Sequence, residues 1–307
     1  MPLDPGLADY LARVAAAVPP LASTSPDARR QRMERIARSF PPPEDAVARG
    51  DAWIALPGRE LAVRLYRPRA GTLPAIVYLH GGGWVAGSLA THDGAAAALA
   101  QDADALVASV HYRRAPESPY PASNDDTFAA LAWIAAHAAD LDVDPRRIAV
   151  AGDSAGAHLA LGCAIEARDR GGPAIAFLLL IYPVVEPVFD TGSYVAHAES
   201  PTLTRADMQW YWQQYLPSGS DDGGARAVPT RDPLAGLPRA HVVVAGLDPL
   251  RDEGVMLASR LSASGVPTTL AEAPTLAHGY LRAAPYAATA RAAQAAFGAV
   301  TNAALHG

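Results

Sequence analysis

An α/β protein, with a mostly parallel sheet covered by helices on both faces, is what this sequence predicts, and three observations predict it. Short aliphatic and β-branched runs alternate with longer stretches whose apolar residues recur every three or four positions. One run, AIAFLLLIY at 174–182, is apolar throughout, as a strand buried on both faces must be. Half of the 307 residues are hydrophobic, enough to fill one large core of this kind.

The elements follow in order. LADYLARVAAAV and SPDARRQRMERIARSF carry helical spacing, and PPPED at 41–45 closes this first segment. AWIAL (52–56), LAVRLY (61–66) and AIVYL (75–79) read as strands, with PGRE turning between the first two. ALVASVHY (105–112) is a strand, and 125–138 a helix that Asn124 or Asp125 would cap. RIAVA (147–151) is a strand and 155–170 a helix; AIAFLLLIY follows as the next strand. AHVVVAG (240–246) and PTTLAEA (267–273) are strands flanking a helix at 252–264, and a helix runs from Ala284. The alternation breaks between Glu186 and about Val228, where a helix at 204–216 is followed by the polar loop PSGSDDGG. The expected organisation is therefore helices at 1–48, a core at 49–185, an insertion at 186–228 above the sheet, and the rest of the core at 229–307.

Composition excludes several functions. The net charge is −6, which gives no electrostatic footprint for nucleic acid. Every basic residue other than histidine is arginine. The absence of lysine removes Schiff-base chemistry, the P-loop lysine and the Ser-x-x-Lys nucleophile. Cys163 is the only cysteine, so no intramolecular disulfide or cysteine-rich metal site can form. MPLDPGLADY has neither a basic n-region nor an apolar h-region, and no run is long enough for a membrane span. A cytoplasmic protein without stable membrane insertion is expected.

The chemistry centres on RIAVAGDSAGAHLA, a strand, then Gly152-x-Ser154-x-Gly156, then a helix. In this nucleophile-elbow pattern the serine occupies a strained turn and its Oγ stands at the carboxyl edge of the sheet. The helix N-terminus adds N–H groups and partial positive charge there. A serine needs a base, and the base an orienting acid. His278, in PTLAHGY, and Asp248, in VVVAGLDPLRDEG, each follow a predicted strand and so emerge at the same edge. Asp248 could instead cap the helix that DPLRDEG opens; Asp252 and Glu253 are the alternative acids. Of the other histidines, His137 and His158 lie on helices as packing or surface residues, while His92 and His111 are candidates to support the site. HGGGW at 80–84 follows the strand expected beside that of the nucleophile. An oxyanion needs fixed N–H donors, and Gly82, Gly83 and Ala155 are assigned that role. Gly81 is assigned the turn, and His80 the orientation of the loop. Asp153 is expected to hydrogen-bond around the elbow and Cys163 to pack. Trp84 and the stripe Met208, Tyr211, Trp212, Tyr215 either pack the insertion on the core or wall the substrate pocket. Trp84, Tyr211, Trp212 and Tyr215 are carried as pocket candidates.

HGGGW at 80–84, GDSAG at 152–156, DPLRDEG at 248–254, HGY at 278–280, YRRAPESPYPA at 112–122 and LLLIYPVV at 178–185 together resemble the hormone-sensitive-lipase-like esterases, the bacterial family IV carboxylesterases, over roughly residues 50–300. The resemblance implies an eight-stranded α/β-hydrolase core. It also implies a helical cap from the N-terminal segment and the insertion, and hydrolysis of short- to medium-chain acyl esters; the GDSAG subgroup fits. Where the family reads closer to DYRLAPEHPFPAA, His111, Arg114 and Ser118 stand in this chain, departures that bear on substrate preference. The reading is a serine carboxylesterase acting on a small-molecule acyl ester without metal or cofactor. Its rivals are an amidase or peptidase on the same fold and a non-catalytic binding protein. A homodimer is compatible with all of this.

Overall fold

The computed structural model describes residues 1–21, 23–216 and 227–307. The polar loop PSGSDDGG lies outside them. Two helices lead the chain: α1 (Pro5–Ala17), capped by Asp4, and α2 (Pro26–Ser39), capped by Ser25, each with proline in its first turn. The sheet strands are β1 (Ala48–Leu56), β2 (Arg59–Arg67), β3 (Leu73–Leu79), β4 (Leu106–Val110), β5 (Val143–Asp153), β6 (Phe177–Ile181), β7 (Ala240–Leu247) and β8 (Thr268–Ala277). Between and after them run α3 (Asp93–Ala103), α4 (Ala122–Ala136), α5 (Ala155–Arg170), α6 (Gly192–Ala196), α7 (Arg205–Tyr215), α8 (Arg251–Ala263) and α9 (Ala288–His306).

The eight strands form one sheet in the order β1-β2-β4-β3-β5-β6-β7-β8. β2 pairs antiparallel with both β1 and β4, and every other pair is parallel. Both sides of the central strands are covered, which explains their unbroken apolar runs. Val77 and Leu79, Leu178 and Leu180, and Val242 and Val244 enter one core cluster with α4, α5 and α8. Their neighbours Ile76 and Tyr78, Leu179 and Ile181, and Val243 and Ala245 enter the other with α1, α3 and α9. This is the period-two alternation of a strand with two buried faces. The chain leaves β3 toward β4 and returns on its other side to β5, so the strand order reverses between β3 and β5. Open α/β sheets bind ligands at the carboxyl ends of the strands beside such a reversal. No helix among the described residues is long and apolar enough to cross a membrane.

Three expected boundaries move. α4 begins at Ala122 after Pro121, not at Asn124 or Asp125. Asn124 and Asp126 are buried inside its first turns, where Asn124 accepts the Tyr215 hydroxyl at 2.7 Å and Asp126 the Arg113 N–H at 2.8 Å. β8 continues past Pro274 to Ala277, directly before His278. The last helix starts at Ala288, because a 3₁₀ turn takes up Tyr280–Ala283.

Candidate active site

β5 ends at Asp153 and α5 begins at Ala155, which leaves Ser154 alone in the turn at φ 57° and ψ −121°. A non-glycine residue pays for such dihedrals with about 1–3 kcal/mol of strain. The surroundings hold it there. Its N–H donates to the Ile181 carbonyl at 2.9 Å, and its carbonyl accepts from Ala157 and His158. Strand and helix approach so closely that a Cβ on Gly156 would collide with the Leu79 carbonyl, and one on Gly152 with the Gly156 backbone.

His278 and Asp248 leave the ends of β8 and β7 at the same edge. His278 Nε2 lies 2.9 Å from Ser154 Oγ, and His278 Nδ1 lies 2.7 Å from Asp248 Oδ2. Asp248 is fully buried, and its other oxygen accepts the Leu250 N–H at 2.9 Å. The turn-capping role and the histidine-orienting contact therefore coexist in one side chain. Asp252 and Glu253 point elsewhere. Asp252 accepts the Ser193 N–H, while Glu253 takes the Val185 and Glu186 N–H groups and the Tyr194 hydroxyl. Both carboxylates tie the segment around α6 to α8. Burial raises Glu253 to about 8 despite these donors.

The glycine loop starts where β3 stops, beside the end of β5. Gly82 at φ 129° and Gly83 at φ 60° carry the left-handed backbone, so they, and not Gly81, make the turn. Gly81 is needed for another reason: a Cβ there would sit 2.5 Å from Asp153 Oδ2. The N–H groups of Gly82, Gly83 and Ala155 donate to no acceptor among the described residues. Behind the loop, His80 Nδ1 lies 2.9 Å from the Gly81 carbonyl, and the Tyr112 hydroxyl donates to the His80 carbonyl at 2.7 Å. Burial, reinforced by His92, holds His80 well below the usual histidine range, so it orients the loop as a neutral ring. Asp153 accepts the Tyr78 hydroxyl at 2.7 Å and the Gly81 N–H at 2.8 Å. His92 Nε2 stands 3.7 Å from it. Burial alone would raise this carboxyl, but His92 and these donors hold it well below the carboxylate range.

Ser154, His278 and Gly81 to Gly83 line a cleft of about 330 Å³, with α2 and the 200–211 segment over it. Of the four pocket candidates only Tyr211 lines this cleft. Trp84, Trp212 and Tyr215 are buried against one another and against His158. Trp84 stacks on Tyr215 at 4.3 Å between centroids, and the His158 ring stands edge-on to all three. The reason is helical spacing: Met208, Trp212 and Tyr215 share the face of α7 turned to the core, and Tyr211 lies a step round toward the opening. His92 also lines the cleft, whereas His111, Arg114 and Ser118 line a separate cavity with Arg113 and Glu117. Those departures therefore sit away from the cleft. Cys163 is buried, its thiol pushed far up by burial. His137 turns its Nδ1 back to the Trp133 carbonyl.

Sequence reasoning missed Arg29, Arg32 and Arg282 in the cleft wall. Arg29 donates to Asp207 at 2.8 Å and to the Tyr211 hydroxyl at 3.3 Å, which ties α2 to α7. The signal for Arg29 and Arg32 was present: with Met33 and Ile36 they fall on one helical face of α2.

A family model described as alpha/beta hydrolase fold matches residues 76–282. The chain is 44% identical over 229 residues to the carboxylesterase NlhH of Mycobacterium tuberculosis, covering 72% of each protein. It is 35% identical over 301 residues to an ethyl acetate hydrolase of Pseudomonas putida, covering 92% of this chain and 93% of that one. The solved structure of a hyperthermophilic esterase from the archaeon Pyrobaculum calidifontis superposes with a TM-score of 0.90 at 36% identity, over 99% of both chains.

Proposed function

The chain belongs to the α/β-hydrolase family, among the hormone-sensitive-lipase-like carboxylic ester hydrolases, and from that premise we propose that it cleaves short- to medium-chain acyl esters through a Ser154–His278–Asp248 triad. The observation that carries this reading is the hydrogen-bonded line from Ser154 Oγ through His278 to buried Asp248, at 2.9 and 2.7 Å, on the floor of the cleft.

In this mechanism the Ser154 hydroxyl gives its proton to His278 Nε2 as Oγ attacks the ester carbonyl carbon. Asp248 fixes the tautomer that leaves Nε2 free to accept, and stabilises the imidazolium that forms. The carbonyl oxygen becomes an oxyanion facing the N–H groups of Gly82, Gly83 and Ala155, which are spent on no acceptor among the described residues. Collapse of the tetrahedral intermediate breaks the bond to the alcohol, which leaves with the proton from His278. Water then attacks the acyl-enzyme by the same route and restores Ser154. The glycine loop performs this task only if it is rigid, and the Asp153–Gly81 and Tyr112–His80 hydrogen bonds supply the rigidity.

A cleft of about 330 Å³ is at the small end for ligand sites and supports the restriction to short acyl chains. So does the relative named for ethyl acetate hydrolysis. We read residues 1–48 and 186–228 as the cap over the core halves 49–185 and 229–307; the Arg29–Asp207 ion pair and the Arg29–Tyr211 hydrogen bond link its two parts.

The test is covalent labelling with diethyl p-nitrophenyl phosphate, followed by peptide mapping. The expected result is one diethylphosphoryl group on Ser154, none in Ser154→Ala, and parallel loss of hydrolysis of p-nitrophenyl acetate and butyrate. A label on another residue, or ester hydrolysis surviving in purified Ser154→Ala protein, overturns the assignment.

A further inference from the structure

Two guanidinium groups in the cleft wall have no partner among the described residues. The guanidinium groups of Arg32, from α2, and Arg282, from the 3₁₀ turn after β8, make no hydrogen bond or ion pair with any described residue. Both are half-buried, and both line the catalytic cleft. They also line a second cavity of about 270 Å³ over α1, which shares His278, Gly279, Pro201 and Thr202 with the first. Arg282 lies against the residue after the triad histidine, since a Cβ on Gly279 would meet its Nη2 at 3.0 Å. Burial, and then the charge of Arg282, pull Arg32 below the ordinary guanidinium range, yet arginine stays charged in proteins.

No carboxylate in either cavity is free to answer them. Asp153 and Asp207 are the acidic residues lining the two, and both are committed, Asp153 to Tyr78 and Gly81, Asp207 to Arg29 and Thr204. Two like charges brought together on the rim of a concave site, with no carboxylate left to answer them, are a receptor for an anion. Guanidinium groups match a carboxylate by paired N–H donors.

We propose that Arg32 and Arg282 form an anion subsite of the catalytic cleft, and that the preferred substrates are esters carrying a carboxylate. The proposal rests on the esterase reading and extends it to a substrate class. In that reading His278 protonates the leaving alcohol, so the alcohol portion lies beside Gly279 and the arginines. The carboxylate is accordingly expected on the alcohol side.

The test compares kcat/KM for isosteric charged and neutral pairs. Acetoxyacetate against acetoxyacetamide, followed by acetate release, places the charge on the alcohol. Monomethyl succinate against methyl succinamate, followed by methanol release, places it on the acyl group. The expected result is a charged-to-neutral ratio of about 10 or more in the first pair. That ratio should fall by about tenfold in Arg282→Gln and in Arg32→Gln, fall in wild type at 0.5 M NaCl, and hold in the exposed control Arg146→Gln. The same pattern in the second pair instead moves the carboxylate to the acyl side and keeps the subsite. Neutral esters hydrolysed at least as well as charged ones in both pairs overturn the subsite and leave the esterase intact. So does a preference that salt does not move in wild type. No hydrolysis of any of the four, nor of p-nitrophenyl acetate, overturns both.

Discussion

Asp248 serves His278 and its own backbone at once: Oδ2 lies 2.7 Å from His278 Nδ1 while Oδ1 accepts the Leu250 N–H at 2.9 Å. This division of labour predicts the behaviour of Asp248→Asn. The amide oxygen can keep the Leu250 N–H, so the turn into α8 survives. The NH₂ then faces Nδ1 and forces the tautomer with its proton on Nε2, which cannot accept from Ser154. A folded protein with a melting temperature near wild type and kcat reduced by roughly 10⁴ is expected. Asp252→Asn and Glu253→Gln, whose carboxylates hold the α6 segment, should keep most of their turnover per folded molecule. A crippled Glu253→Gln beside a near-normal Asp248→Asn in the same kinetic assay reverses the assignment of the acid.

Neighbouring aromatics on α7 should separate cleanly. Tyr211 lines the cleft and Trp212 does not. Tyr211→Ala is expected to shift the p-nitrophenyl ester profile toward longer acyl chains, because it opens the wall above Gly83. Trp212→Ala removes a buried ring in contact with Trp84, His158 and Tyr215, which should cost about 3–5 kcal/mol of stability. Its chain-length profile should match wild type. Denaturant unfolding and the ester panel on both variants decide between pocket and packing for each residue.

Gly83 and Tyr211 are coupled by space. A Cβ on Gly83 would collide with the Tyr211 ring, so Gly83→Ala alone must disturb the wall as well as the N–H donor. The informative comparison is made in a Tyr211→Ala background, where that ring is gone. There Gly83→Ala should lower kcat by about 10² to 10³ with KM within a few-fold, the signature of a lost oxyanion donor. If kcat in the double variant equals that of Tyr211→Ala alone, the Gly83 N–H is not a donor in the transition state.

The juxtaposition of Ser154, Asp248 and His278 was legible in the sequence because each stands directly after a strand, at β5, β7 and β8, where local pattern alone fixes the sheet edge on which it emerges. The glycine loop was legible for the same reason. Which glycine turns the chain was not, since that depends on Asp153 crowding Gly81 from the next strand. Nor was the inward face of α7: four aromatics and a methionine spread over more than one face, and spacing cannot say which arc meets the core. The start of α4 eluded the capping rules because Asn124, one of the two expected caps, was recruited by a distant side chain, Tyr215, and both expected caps lie inside the helix. Arg32 and Arg282 come from opposite ends of the chain, and only the tertiary fold brings them to one rim.

His158 joins the aromatic cluster of Trp84, Trp212 and Tyr215 beneath the cleft. Its Nε2 lies 3.0 Å from the Ala227 carbonyl, and its Nδ1 is buried with no partner among the described residues. A proton on Nδ1 would place an uncompensated charge among Trp84, Trp212 and Tyr215, and burial accordingly lowers the His158 pKa to about 3. An unfolded histidine titrates near 6.5. Above that pH neither state holds the proton and His158 has no effect on the pH dependence. Between about 6.5 and 3 the unfolded state binds a proton that the native state refuses, so stability falls as pH falls, by up to about 1.4 kcal/mol per pH unit from this group. His158→Gln lowers the whole stability curve through lost packing, but it also removes this slope. Urea unfolding at pH 7, 6, 5 and 4 should therefore show wild type and variant converging as the pH drops. Parallel curves over that range would mean that His158 is free to take up its proton in the folded protein, and that the cluster around it is not closed.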